Sequence, residues 1–130
     1  MRGRIDHQAS MFIALNIEDL VPGDHPLRAM KRWCDSIFRD MRLNFEKAYS
    51  QVGRPSIPPE QLLKALLLQG LYSIPSEHRL IEAITFNLLY RWFLDLPVDD
   101  PVWTRECFSM NRDRFAQHDL VRKFFDRVVA

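Results

Sequence analysis

Glycine is scarce in this chain, with four in 130 residues. So few glycines leave little room for backbone loops that cradle phosphates, and no Walker, Gly-x-Gly-x-x-Gly or Gly-x-Ser-x-Gly pattern occurs. Cysteine is scarcer still: Cys34 and Cys107 stand far apart and form no Cys-x-x-Cys pair. They read as reduced thiols in a cytoplasmic protein, not as a disulfide framework. Apolar runs such as Ala65 to Leu68 fall far short of the ~20 residues a membrane span needs. Met1 to His7 lacks the apolar core of a signal peptide. An excess of one charge is missing too. Eighteen Lys and Arg against 17 Asp and Glu, a net charge of +1, excludes a protein that coats nucleic acid by bulk charge. Any contact with DNA has to come from a local patch.

What the chain does have is apolar residues at helical spacing, 47% hydrophobic and 12% aromatic, enough for one packed domain. Met11 to Leu15 is a short apolar run that reads as a strand or an extended arm. Asp24, followed by His25 and Pro26, is an N-cap candidate with a proline in the first turn. Leu27, Met30, Cys34, Ile37, Phe38 and Met41 then form one apolar stripe. Pro58, Pro59 and Glu60 open a second helix, nearly apolar all round through Leu62, Leu63, Leu66, Leu67, Leu68 and Leu71, which belongs at the domain centre. Pro75 ends it, since the residue before a proline is pushed out of helical geometry. Ser76 caps a third helix, with Leu80, Ile81 and Ile84 inward and Glu77, His78, Arg79 and Glu82 available outward. Helix, short turn, helix is the outline of a helix-turn-helix, which structural αα-hairpins share. Asn87 caps a short aromatic helix. Asp100 or Thr104 opens the next, and His118 or Asp119 opens the last, whose Val121, Phe124, Phe125 and Val128 are amphipathic.

Three groups of residues invite a chemical reading. Between residues 26 and 54 seven Lys or Arg face three acids, and Arg28, Arg32, Asp35, Arg39 and Arg42 fall close together on one side of the first helix. A solvated face and a phosphate-contacting face both fit this pattern. Asp95, Asp99 and Asp100 lie close together, but a proline-flanked loop with one capping acid explains them without acid–base chemistry. His7, His25, His78 and His118 with the two cysteines show no metal-ligand spacing. On residues alone this is an all-α domain without an evident active site.

Several segments, in order, resemble the N-terminal part of bacterial insertion-sequence transposases of the InsH-like DDE family. They are Asn16 to Arg28, Gly53 to Gln69, Tyr72 to Ile84, Arg91 to Leu96, Val102-Trp103 and Asn111 to Phe115. The resemblance implies a helical domain that binds the terminal inverted repeats of the element. It also implies a separate RNase H-like domain in which three acids hold two divalent metals. One departure stands out: where the family reads Asp-His-Ser or Asp-His-Thr after Trp103, this chain reads Thr104-Arg105-Glu106-Cys107.

The expected fold is therefore all-α, a compact bundle of about five or six short helices with a helix-turn-helix-like pair. Residues 1–24 would be an extended N-terminal arm and 25–130 the helical domain, with the catalytic domain absent from the chain. The expected function is DNA binding in transposition, without catalytic residues, metal or cofactor of its own. Arg28, Arg32, Arg39, Arg42 and Arg54 are the candidate backbone contacts, and Ser76, His78 and Arg79 the candidate groove contacts. The expected partners are double-stranded terminal-repeat DNA and further copies of the chain, with no membrane and no small-molecule substrate, in the nucleoid-associated cytoplasm. The alternative is a helical dimerisation or assembly module, favoured by the apolar last helix, or a truncated transposase that inhibits the full-length one.

Overall fold

The computed structural model describes residues 17–52 and 56–129, with 49–52 as backbone only. The arm expected before residue 17, and Arg54, lie outside the described residues. Those described form eight helices and no strand. They are α1 (Ile17–Leu20), α2 (Pro26–Asp40), α3 (Arg42–Val52), α4 (Pro59–Leu71), α5 (Glu77–Phe86), α6 (Leu88–Phe93), α7 (Arg105–Gln117) and α8 (Leu120–Val129).

Two of these exceed the expected count, for identifiable reasons. Residues 17–20, assigned to the arm, wind into a helical turn that packs on α6. The first long helix breaks at Met41, whose ψ of 4° leaves helical geometry. The break lets Phe38, Met41 and Phe45 all reach one core. The first helix also starts one residue later than expected. His25, not Asp24, is the cap, its Nδ1 accepting the Leu27 N–H at 3.1 Å. Ser76 caps α5 and Asn87 caps α6 as read, and of Asp100 and Thr104 it is Thr104 that caps α7.

Helix α4 lies at the centre, with Leu62, Leu63, Ala65 and Leu68 fully buried. It packs on α7 and α8, and α8 returns to α2, where Phe124 stacks on Phe38 at 5.3 Å. The amphipathic last helix therefore spends its apolar side inside this domain: Leu120 and Phe124 are buried, and Val121, Phe125 and Val128 pack against the core. Helix α5 packs on α6 and α7, and Ser73 turns the connection from α4 at a φ of 52°.

The segment Arg91 to Leu96 ties these parts together. Buried Arg91 donates to the backbone carbonyls of Thr85, Pro97 (2.6 Å) and Asp100 (2.9 Å), fastening the loop after α6 to the end of α5. Trp92 lies beneath the cations of Arg28 and Lys31 and donates its Nε1–H to Glu18. Phe93, Leu94 and Leu96 enter the core. Asp95, at a φ of 56°, turns its carboxylate toward Lys31 and Lys64.

Lys64 is the exception on the most apolar helix. Its side chain is 3% exposed, and its ammonium stands 3.5 Å from both Asp35 and Asp95, over the rings of Phe38 and Phe93. Removing water from an ammonium costs several kcal/mol unless counter-charges replace it. Asp35 and Asp95 supply them while staying about half solvated. Replacing both by Asn should lower the unfolding free energy by about 2–4 kcal/mol, whereas Lys64→Met, which removes the charge and keeps the volume, should cost under ~1 kcal/mol. Urea titration measures both, and a double Asn variant as stable as the parent would mean the carboxylates do not hold the ammonium. A second prediction concerns the thiols. Burial pushes Cys34 up to about 11, whereas Cys107 is half-exposed. The folded chain should therefore offer one thiol to a disulfide reagent in mildly alkaline buffer, and both after unfolding.

Candidate nucleic-acid interface

The basic face expected on the first helix is committed to holding the fold at Arg28, and the neighbouring Lys31 is bound in the same way. Arg28 donates to the carbonyls of Glu18, Val21 and Pro22 and pairs with the Glu18 carboxylate. That pairing, with the Trp92 hydrogen bond, holds the Glu18 carboxyl below the usual carboxylate range. Lys31 pairs with Asp95. Arg42 is 79% exposed and 3.5 Å from Glu46 one turn on, an exposed pair of small energetic weight. Arg32 and Arg39 remain, both exposed and without an ion pair to a described residue. They lie two turns apart on the same side of α2, about 10 Å along its axis.

The second predicted group sits elsewhere, at the start of α5. The Ser76 hydroxyl accepts the Arg79 N–H at 3.1 Å, which leaves its own O–H able to donate outward. His78 and Arg79 are exposed. Helix α2 packs on α3, α6 and α8, whereas α5 packs on α6 and α7, so the two predicted groups are not brought into one cleft.

The packing of α7 on α5 instead adds residues that sequence reasoning had left off the candidate site. A cleft of about 380 Å³ opens between them, lined by Ser76, Glu77, His78, Arg105, Ser109 and Arg112 among others. Glu77 is its single acid. Arg112 Nη1 donates to Glu77 at 2.5 Å, and the Ser109 hydroxyl donates at 3.1 Å, so this carboxylate is already satisfied. The helix start, His78 and Arg105 then set the electrostatic character of the cleft, which suits an anion. Arg105 follows the Thr104 cap, whose hydroxyl accepts the Cys107 N–H at 3.1 Å. The segment that departs from the family pattern thus still caps its helix. Nothing in the local sequence pairs residue 105 with residue 78; only the α5–α7 contact does.

Arg79 goes to a different place. It lines a larger groove, about 820 Å³, between α5, α6 and the turn that follows α4. The loop acids also part company: Asp95 serves Lys31 and Lys64, and Asp100 offers its carbonyl to Arg91. Among the described residues no three of His, Cys, Asp and Glu gather as a metal would require.

The chain matches a family described as a transposase domain (DUF772) over residues 15–114, more than three quarters of its length. The match spans α1 to most of α7 and so takes in the α5–α7 cleft. Comparison with curated proteins and with solved structures gives no match. An all-helical bundle carrying this match from α1 into α7 belongs to the DUF772 transposase-domain family.

Proposed function

We propose that this chain is the DNA-binding part of an insertion-sequence transposase, of the InsH-like DDE type, and that it recognises terminal inverted repeats. The observation that carries the reading is the α5–α7 cleft, where a capped helix start, the Ser76 hydroxyl, His78 and Arg105 surround a carboxylate already neutralised by Arg112. A DNA phosphate at this point would meet backbone N–H groups and positive charge together. With the phosphate held there, the exposed start of α5 is the part of the helix nearest a groove, and Ser76 and His78 are the side chains it would offer. Arg32, Arg39 and Arg42 add backbone contacts on a separate face, and Arg54 stays a candidate for the same role. Arg28 is already saturated by its own fold.

In this reading strand cleavage and joining belong to a separate metal-dependent domain, and no acid described here is assigned to it. The working partner is double-stranded DNA with further copies of the chain, in the nucleoid. No helix among the described residues is long and apolar enough to cross a membrane. A role in assembly, including inhibition of a full-length transposase through mixed complexes, is favoured by one observation, the exposed apolar groove beside α5.

The test is fluorescence anisotropy with a terminal-repeat duplex against a scrambled duplex over a range of salt. Specific binding is expected, weakening steeply with salt. Arg105→Ala should reduce the slope of log affinity against log salt by about 1, as loss of one phosphate contact does. His78→Ala should lose about 1–3 kcal/mol of discrimination if His78 reads a base edge. Equal affinity for both duplexes at moderate salt, or an unchanged slope in Arg105→Ala, would overturn the reading.

A further inference from the structure

The outward face of α5 is not the face of a helix that meets only DNA. At 100° per residue its most outward positions are Arg79, Glu82 and Phe86. Phe86 is 81% exposed, beside exposed Tyr72 and Leu88. Together with Ile74, Pro75 and Ala83 they line the groove of about 820 Å³. A contiguous apolar surface of this kind, with a carboxylate on its rim, is poorly suited to phosphates and well suited to another protein surface.

The charges on the rim identify which protein. Arg79 and Glu82 stand three residues apart on one helix, and neither forms an ion pair with a described residue. We propose that a second copy of this chain docks here, its α5 antiparallel to the first about a two-fold axis midway between residues 79 and 82. In an isologous contact residue i of each copy meets residue j of the other, so with this axis Arg79 of each copy meets Glu82 of the other and both unpaired charges are satisfied twice. The same axis sets position 86 opposite position 75. Phe86 lies about 8 Å along the helix from the axis, and Pro75 lies beyond the opposite end of α5, just before its Ser76 cap. Each Phe86 then enters the apolar part of the partner groove, at Ile74 and Pro75. A net charge of +1 per chain opposes such a pairing very little. The α5 residues of the DNA cleft, Glu77 and His78, are not among those that line this groove, although Pro75, just before the helix, borders both. The dimer contact is read from the groove and its rim charges and does not rest on the DNA reading.

Sedimentation equilibrium on the 130-residue chain without DNA tests it. A dimer is expected. Phe86→Glu should weaken dimerisation by at least about tenfold, as loss of a central aromatic anchor does. Arg79→Glu and Glu82→Arg should each weaken it, and the double reversal should restore it, because a two-fold contact sees the same pair with its signs exchanged. The three positions are exposed, so circular dichroism should show an unchanged fold. If Phe86→Glu does unfold, the reversal series decides alone. A monomeric parent chain, a dimer indifferent to Phe86→Glu, or a double reversal that fails to restore association would overturn the proposal. So would a monomer whose groove takes up a segment of some other protein.

Discussion

One buried ammonium organises this domain. Lys64 sits in the middle of the helix with the strongest apolar character, and a charge there is unfavourable unless carboxylates reach it. Asp35 comes from α2, and Asp95 comes from the turn after α6 in a left-handed conformation that few residues adopt. Asp95 also holds Lys31, which with Arg28 lies over Trp92, and Trp92 donates to Glu18 on α1. One chain of polar contacts thus positions α1, α2, α4 and α6 relative to one another. Hydrophobic burial supplies the driving force, but it is non-directional, and these charged contacts select one arrangement of the helices.

This network changes the meaning of two sequence features. The segment Arg91 to Leu96 contributed to the resemblance to transposases, and the fold accounts for it residue by residue. Arg91 binds three backbone carbonyls, Trp92 receives two cations, Asp95 holds Lys64, and the apolar residues fill the core. The basic face of the first helix has a similar fate in part, because Arg28 and Lys31 are bound inside the domain. Charge counted along a helix overstates the charge offered to a partner whenever acids from distant segments fold back onto it. The loss here is to Glu18 and Asp95, which lie outside α2 on either side.

The functional weight moves to α5, and to two different flanks of it. Its start shares a cleft with Arg105 and a neutralised Glu77, a setting for an anion. Its outward face carries Arg79, Glu82 and Phe86 over an apolar groove, a setting for a protein. Both settings serve the proposed reading, the first as a contact for DNA and the second as a contact for another copy of the chain. The packing of α7 separates the two surfaces: it supplies Arg105 and Arg112 to the first and leaves the second open toward α6.

The sequence by itself determined what depends on near neighbours. The all-helical class, the central place of α4, the caps at Ser76 and Asn87, and the apolar stripe from Leu27 to Met41 all follow from periodicity and from side chains a few residues apart. Family membership belongs here as well, because an ordered series of local segments carries it. Tertiary structure alone decided what depends on residues far apart in the chain. The break at Met41 comes from three side chains sharing one core, and the turn at 17–20 from its seat on α6. The burial of Lys64 comes from two acids 60 residues apart, Asp35 and Asp95. The last helix looked apolar enough to seek a partner, yet Phe124 spends that face on Phe38, which no local pattern reveals. The same holds at the candidate site. Ser76 and His78 were legible because a cap and a helix face are local, whereas the pairing of His78 with Arg105, and the separation of Arg79 from both, exist only once α7 is laid against α5.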